Sequence, residues 1–124
     1  MRQCHLLYKI IFILCFCSLP SWAGQFLIGT EDVPLMKEMT YSQEETFSFD
    51  NEEGRLYFSK VFTPLKPSQI MEFYRQTLPQ LGWREKNDAS FEREGDVLNI
   101  GVIDGEYHSL NQTSVIFELI TKSK

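Results

Sequence analysis

The stretch Ser68–Trp83, SQIMEFYRQTLPQLGW, decides the fold because it contains the clearest helix in the chain and the signal that ends it. Its apolar residues recur at intervals of three and four, which predicts a buried stripe along an amphipathic helix. The Ser68 hydroxyl is a suitable N-cap, and Pro79 is expected to end the regular helix near Leu78. Gly82 then reverses the chain into the next strand. The predicted stripe consists of Ile70, Phe73, Tyr74, Thr77, Leu78 and Leu81.

Two strands that form a hairpin are predicted before the helix. Thr46–Asp50 alternates polar and apolar residues, which predicts a half-buried strand with Phe47 and Phe49 facing inward. Asn51–Gly54 supplies the turn. Arg55–Thr63 is rich in aromatic and β-branched residues, which favours a second strand. Its pattern leaves open which of its two faces is buried.

The C-terminal third is predicted to be a meander of short strands. Residues of its last two strands alternate, which predicts one buried face on each. The resulting order, β-β-α-β-β-β-β, predicts an α+β fold: a two-layer sandwich in which one helix covers an antiparallel sheet of about 5–6 strands, with the other sheet face solvated. The predicted strands are Trp83–Lys86, Ser90–Arg93, Val97–Asp104 and Thr113–Thr121, with Leu98, Ile100, Val102, Val115, Phe117 and Leu119 facing inward.

Residues 1–23 have the composition of a cleavable secretory signal. A basic start is followed by the apolar run Ile10–Leu19 and a small-x-small end at Ala23. A membrane anchor is disfavoured because the run has about half of the roughly 20 apolar residues that a spanning helix needs. Lipidation is disfavoured because neither Cys15 nor Cys17 follows a small residue. We therefore expect an exported protein, periplasmic or secreted, with no stable membrane span after cleavage.

Cleavage would leave residues 24–124 as a single α+β domain, a length typical of one domain. Residues 24–43 are predicted to form an irregular N-terminal arm that packs Val33, Leu35 and Met36 onto the body. All three cysteines lie in the leader, so the domain would contain no disulfide. It would retain 10 Lys and Arg against 17 Asp and Glu. Such an acidic domain is a poor match for nucleic acid, whose binding depends on basic side chains.

The segment Phe73–Trp83, FYRQTLPQLGW, resembles the FYxxxLPxxGW helix–turn signature of a family of small exported proteobacterial proteins of uncharacterised function. Asp32–Met36, the hairpin Phe49–Tyr57 (FDNEEGRLY) and the later Phe91–Leu98 (FEREGDVL) are also similar to that family, and the resemblance extends over residues 31–121. It implies export to the periplasm and a hairpin, a helix and then antiparallel strands. It implies no catalytic positions.

The residue inventory argues against an enzyme and against a resident metal or cofactor. The domain would contain one histidine, His108, and no cysteine, which disfavours zinc and copper sites. Asp50, Glu52 and Glu53 flank a glycine, but their spacing matches no calcium loop. His108 lies beside Ser109 in a polar segment without a G-x-S-x-G turn, so we expect an exposed loop histidine rather than a catalytic base.

Aromatic residues are the one class that stands out, with 13 of the 17 lying after the leader. They are interpreted either as a core of large side chains, which we favour, or as a groove between helix and sheet for a small apolar ligand. Tyr57, if it points away from the helix, would mark a partner-binding face. We therefore expect a non-enzymatic protein-interaction or envelope-assembly module, with a carrier of a small apolar ligand as the alternative. The residues of the possible groove are Phe58, Phe62, Phe73, Tyr74 and Trp83.

Overall fold

The computed structural model describes residues 24–105 and 112–123, so the predicted leader and His108 lie outside the described residues. In this described part, seven strands form one antiparallel sheet and an α-helix packs against one of its faces, which confirms the predicted α+β sandwich. We call the face under the helix the covered face and the opposite one the open face. The elements are β1 (Thr40–Tyr41), β2 (Phe47–Asn51), β3 (Gly54–Thr63), α1 (Pro67–Thr77), β4 (Arg84–Asn87), β5 (Ser90–Arg93), β6 (Asp96–Asp104) and β7 (Thr113–Lys122).

The sheet has the order β1-β3-β7-β6-β5-β4, with β2 pairing beside β1 on the outer side of β3. The longest pairing, between β3 and β7, runs over ten residues from Gly54 opposite Lys122 to Thr63 opposite Thr113. β2 and β1 bind different parts of β3, and β4 forms the far edge. β1 lies inside the arm that was predicted to be irregular. The sequence did not indicate it, because a strand of two residues is too short to show an alternating pattern.

Helix α1 begins two residues earlier than predicted. Lys66 is the N-cap and Pro67 occupies the first helical position, so Ser68 lies inside the first turn and the predicted cap is wrong. Proline suits this position because its fixed φ is helical and the missing N–H would have no partner there. The Lys66 N–H donates to Oε1 of Gln69 at 3.0 Å, so the side chain of the third helical residue caps the N–H of the N-cap residue.

The end of α1 is where the sequence predicts it. The α-helix ends at Thr77, and one 3₁₀ turn, Leu78–Leu81, follows. Gly82 has a φ of +90°, a left-handed conformation that glycine adopts without a Cβ clash. The N–H of Trp83 donates to the carbonyl oxygen of Leu78 at 3.0 Å, which closes the turn that leads into β4.

The core lies between α1 and the covered face, and the N-terminal arm closes one side of it. The ring of Tyr74 meets that of Phe117 edge-on, with centroids 5.4 Å apart. The Tyr74 hydroxyl donates to the carbonyl oxygen of Pro34 at 3.0 Å and so joins the helix to the arm. The predicted burial is confirmed for Ile70, Tyr74 and Leu78 of the helix stripe and for Val33 and Leu35 of the arm, whereas the other predicted positions are half-buried. The fully buried side chains include Val33, Val61, Ile70, Tyr74, Leu78, Phe91, Leu98, Val115 and Phe117.

Candidate functional site

The hairpin aromatics are divided between the two faces of the sheet. Tyr57 lies on the covered face against the arm, where a Cβ added to Gly29 would come within 2.6 Å of its ring. Phe58 and Phe62 lie on the open face, because side chains alternate along β3 and Val61 faces the core. Tyr57 therefore does not mark the open face, and Phe58 and Phe62 do not line a space under the helix.

The other three aromatic residues of the possible groove belong to the core. Tyr74 is fully buried and Trp83 is 2% exposed. Phe73 is half-buried and packs edge-on against Tyr74, with ring centroids 5.0 Å apart. These side chains occupy space between helix and sheet that a bound ligand would need, and the five groove residues do not converge on one site.

The open face is apolar over β2, β3 and β7. An antiparallel sheet with a solvated face ordinarily places polar side chains there. Here Phe47 and Phe49 of β2 are 54% and 59% exposed, and Ile120 of β7 is 41% exposed. We define the apolar open face by these three residues together with Leu56, Phe58, Phe62 and Ile116, with Val97 and Ile103 of β6 at its border.

The prediction that Phe47 and Phe49 face inward is wrong. The hairpin register places Phe47 opposite Phe58 and Phe49 opposite Leu56, so all four side chains share the open face. Ser48 points towards the covered face and is itself exposed, so the helix does not extend over β2. An 11-residue helix is about 16 Å long, and α1 contacts β6 and β7 in the middle of the sheet.

Two aromatic rings on the open face are already held in place. Phe47 stacks on Phe58 with centroids 5.0 Å apart and an interplanar angle of 14°. The stack joins β2 to β3, yet it leaves about half of the Phe47 side chain in contact with solvent. A partner that covers these rings would therefore meet an ordered aromatic surface, which lowers the entropy cost of binding.

A buried lysine stem extends the apolar open face next to Phe62. The Lys60 side chain is 11% exposed, and its Nζ lies 3.2 Å from Oε2 of Glu45 and 5.8 Å from the centroid of the Phe62 ring. The methylene groups of such a side chain add apolar surface while the ammonium group reaches a polar partner. Lys60 therefore adds to the apolar surface while its charge is compensated.

The β2 edge is bordered by acidic side chains. Residues 44–53 contain five acids and no base. Asp50 accepts hydrogen bonds from Arg55, with Nη2 2.9 Å from Oδ2, and this contact lowers the pKa of the Asp50 carboxyl group. Within the described residues, the acids on or around the open face that form no ion pair are Glu44, Glu52, Glu53 and Glu118.

The tip of the β2–β3 hairpin is held by one side chain. Oδ1 of Asn51 accepts hydrogen bonds from the N–H groups of Glu53 and Gly54, both at 2.9 Å. The carbonyl oxygen of Glu53 accepts the N–H of Ser123, which joins the tip to the end of β7. The two glutamates at the tip are therefore presented from a fixed turn.

A second polar cluster lies on the covered side of the sheet, at Arg93. Its guanidinium stacks 4.4 Å above the Trp83 ring and donates to Asp32 at 2.5 Å and to the Leu81 carbonyl oxygen at 3.0 Å. These contacts join the arm to β5. We interpret the cluster as structural because its polar groups bind each other.

Neither a metal cluster nor a spanning helix is found in the part of the chain that the structure describes. Among residues 24–105 and 112–123, no group of three His, Cys, Asp or Glu side chains is arranged to hold a metal ion. No helix within the same residues is long and apolar enough to cross a membrane.

The apolar open face could have been recognised from β7. In the run Ser114–Ile120, SVIFELI, the core residues Val115, Phe117 and Leu119 alternate with positions that include Ile116 and Ile120, so apolar side chains occur on both faces of the strand. A strand with this composition is usually covered on both faces. The alternation within β2 alone carries no such information.

Comparison of the chain with protein-family models, with curated proteins and with solved structures found no match. The resemblance to the FYxxxLPxxGW family therefore stays a prediction. In the structure, the signature residues Tyr74, Leu78 and Trp83 are buried and Gly82 reverses the chain, so they serve packing and turn formation.

Proposed function

We propose that this protein is an exported, non-enzymatic interaction module that binds another envelope protein through the apolar open face. The observation that carries the proposal is the exposure of Phe47 and Phe49 beside Ile120 on one continuous sheet surface. Folded monomers seldom leave large apolar patches in water, and such patches mark interaction sites. Aromatic residues also contribute strongly at protein interfaces because they bury a large area in few rotamers.

The proposed location depends on the sequence. The basic start, the short apolar run and the small residues before Gly24 favour removal of a secretory leader. The absence of cysteine from residue 24 onward makes the domain independent of the redox state of its compartment. Both features suit a protein that works in the periplasm.

The carrier alternative has less support than the interaction module. A carrier needs a cavity between helix and sheet, and Ile70, Tyr74 and Phe117 are fully buried against one another in that space. We therefore propose the open face, rather than the helix–sheet interface, as the surface that acts.

The proposal is tested by placing a photo-crosslinking amino acid at Phe49 and expressing the chain in its own host. Phe26 is the matched control, since it is 47% exposed but lies in the arm. We expect a discrete protein adduct from position 49 and none from position 26. The adduct should disappear when Phe47→Ser is added.

Loss of the adduct must not reflect unfolding. Because Phe47 is half exposed and loses only its stacking on Phe58, Phe47→Ser should lower the free energy of unfolding by no more than about 1 kcal/mol. An absence of adduct from position 49, or the same adduct from both positions, would contradict the proposed function.

A further inference from the structure

We propose that the outer edge of β2 pairs with an extended segment of the partner in which apolar and basic side chains alternate, so that the sheet gains one strand. This inference rests on the proposed function, because it names the part of the open face that the partner reaches first. It differs from that function in requiring backbone hydrogen bonds along β2.

The outer edge of β2 is open to pairing. Within residues 24–105 and 112–123, β2 pairs with β3 alone. An edge strand leaves the N–H and C=O groups of alternate residues without partners in the sheet, so a second chain can bind them. All five residues of β2 are exposed, and its sequence FSFDN contains neither lysine nor proline.

The opposite edge of the sheet shows how an edge is ordinarily protected. β4 carries Arg84 and Lys86 within four residues, and its pairing with β5 is shifted by an irregularity between Glu85 and Asn87. Basic side chains and bulges of this kind discourage edge-to-edge pairing. β2 has neither device, and it presents two phenylalanines instead.

The side chains of β2 predict which alternate positions of a fitting segment are apolar. A strand paired with β2 places every second side chain beside Phe47 and Phe49, at the distance of a cross-strand pair. Apolar residues at those positions would continue the apolar open face and cover the exposed rings. The alternate positions would lie beside Ser48 and Asp50, on the other face.

The charges around β2 predict that the remaining positions of the segment are basic. Glu44 precedes the strand, and Glu52 and Glu53 follow it. None of the three forms an ion pair within the described residues. Basic side chains in the partner would complement these acids, which favours encounter and selects against acidic segments.

The same charges disfavour a second copy of this chain as the occupant. In antiparallel pairing of β2 with itself, the Glu44 end of each strand would meet Glu52 and Glu53 of the other. In parallel pairing the like ends would meet. Acidic groups would oppose one another in both arrangements, so we expect a partner of different sequence.

The test uses a synthetic ten-residue peptide in which lysine alternates with valine and phenylalanine, added to the protein purified from its own host. One control peptide has glutamate in place of lysine. A second control carries methyl groups on its backbone nitrogens, so it keeps the side chains but cannot donate backbone hydrogen bonds. We expect the first peptide to slow hydrogen exchange of β2 amides, and both controls to bind at least about tenfold more weakly.

Protein variants test the charge requirement separately. Glu52→Lys with Glu53→Lys should weaken binding of the lysine peptide by about tenfold at low salt, whereas the matched pair Glu38→Lys with Glu72→Lys should leave it unchanged. All four residues are exposed, so none of the changes should disturb the fold.

The outcomes separate the edge inference from the proposed function. Equal binding by the methylated peptide, no binding by the lysine peptide, or concentration-dependent protection of β2 by the protein alone would overturn edge pairing with a basic segment. The proposed function would survive each of these results if the crosslink at position 49 still forms. A missing crosslink in the cell would overturn the function itself.

Discussion

On the covered face of the sheet, Phe117 and Leu119 of β7 are excluded from water, whereas on the open face Phe49 of β2 and Ile120 of β7 are 59% and 41% exposed. The two faces therefore carry similar residue types but differ in what lies above them. The covered face has the helix and the N-terminal arm, both joined to Tyr74. Among the described elements, no helix packs on the apolar open face.

This difference indicates that the two sets of apolar side chains serve different ends. Burial of apolar surface stabilises a fold by roughly 25 cal/mol per Å² removed from water, so the covered side chains stabilise the domain. Exposed side chains add little to folding and release the same free energy only when another molecule covers them. The open face is thus suited to binding.

The largest contrast is expected between two phenylalanines on opposite faces of neighbouring strands. Phe117→Ala should reduce the free energy of unfolding by about 3–5 kcal/mol, because a fully buried ring leaves a cavity against Tyr74. Phe58→Ala, on the open face, should cost about 1 kcal/mol. Denaturant unfolding of both variants measures the difference. Equal losses would mean that the faces are not distinct.

The polar contacts of the two regions should differ in the same direction. Arg93→Ala removes the stacking on Trp83 and the half-buried pair with Asp32, and should cost about 1–2 kcal/mol. Arg55→Ala removes the exposed pair with Asp50 and should cost less than about 0.5 kcal/mol. Thermal unfolding ranks the two variants. A reversed ranking would show that the arm is not held by Arg93.

The hydroxyl of Tyr74 provides a test that depends on pH. Tyr74→Phe should cost about 1 kcal/mol near neutral pH, because the Pro34 carbonyl oxygen loses its donor. Burial raises the pKa of the Tyr74 phenol, so the folded state holds this proton more tightly than the unfolded state, where the ordinary value is 10.0. This stabilisation is complete below pH 10 and is lost as pH rises through the folded-state pKa.

Unfolding curves measured from pH 8 to pH 11 follow this loss. The wild-type protein should lose stability more steeply above about pH 10 than the Tyr74→Phe variant, which has no phenol to ionise at that position. Parallel curves for the two proteins would show that the phenol is not buried as the structure places it.

A small effect on stability is expected from the exposed pair on β2, despite the size of the two rings. Phe47→Ser with Phe49→Ser should lower the free energy of unfolding by about 1 kcal/mol in total, mainly through the lost stacking on Phe58. The variant should nevertheless bind much less of a fluorescent hydrophobic dye, since exposed apolar surface is what such dyes bind. A loss of more than about 2 kcal/mol would indicate that these rings are buried, as the alternation of Thr46–Asp50 alone suggests.

The helix and the meander could be predicted because their signals are local. The stripe through Ile70, Tyr74 and Leu78 and the stop at Pro79 and Gly82 depend on neighbours within a few residues. The alternation of Leu98 with Ile100, and of Phe117 with Leu119, likewise identified the buried faces of β6 and β7. In each case the buried face is also the more apolar one.

The orientation of β2 and β3 could not be predicted, although β7 signals a second apolar face, because a period of two defines a face but does not show which layer covers it. β3 has apolar residues at both parities, and its small covered-face residue Ser59 lies beneath the helix layer while the larger Phe58 and Phe62 point away. The placement of Phe47 and Phe49 follows from the hairpin register and from the length of α1. Both are tertiary properties that the pattern of a five-residue strand does not contain.

Thiol labelling at Phe49→Cys measures whether the exposed β2 rings of the open face are accessible in the isolated protein and covered in the cell. The leader is left unchanged, because its expected removal takes away all three natural cysteines, and Phe26→Cys is the control. We expect rapid labelling of both positions in the purified protein, and about tenfold slower labelling of position 49 alone in the cell. Equal rates at position 49 in the two settings would contradict the account.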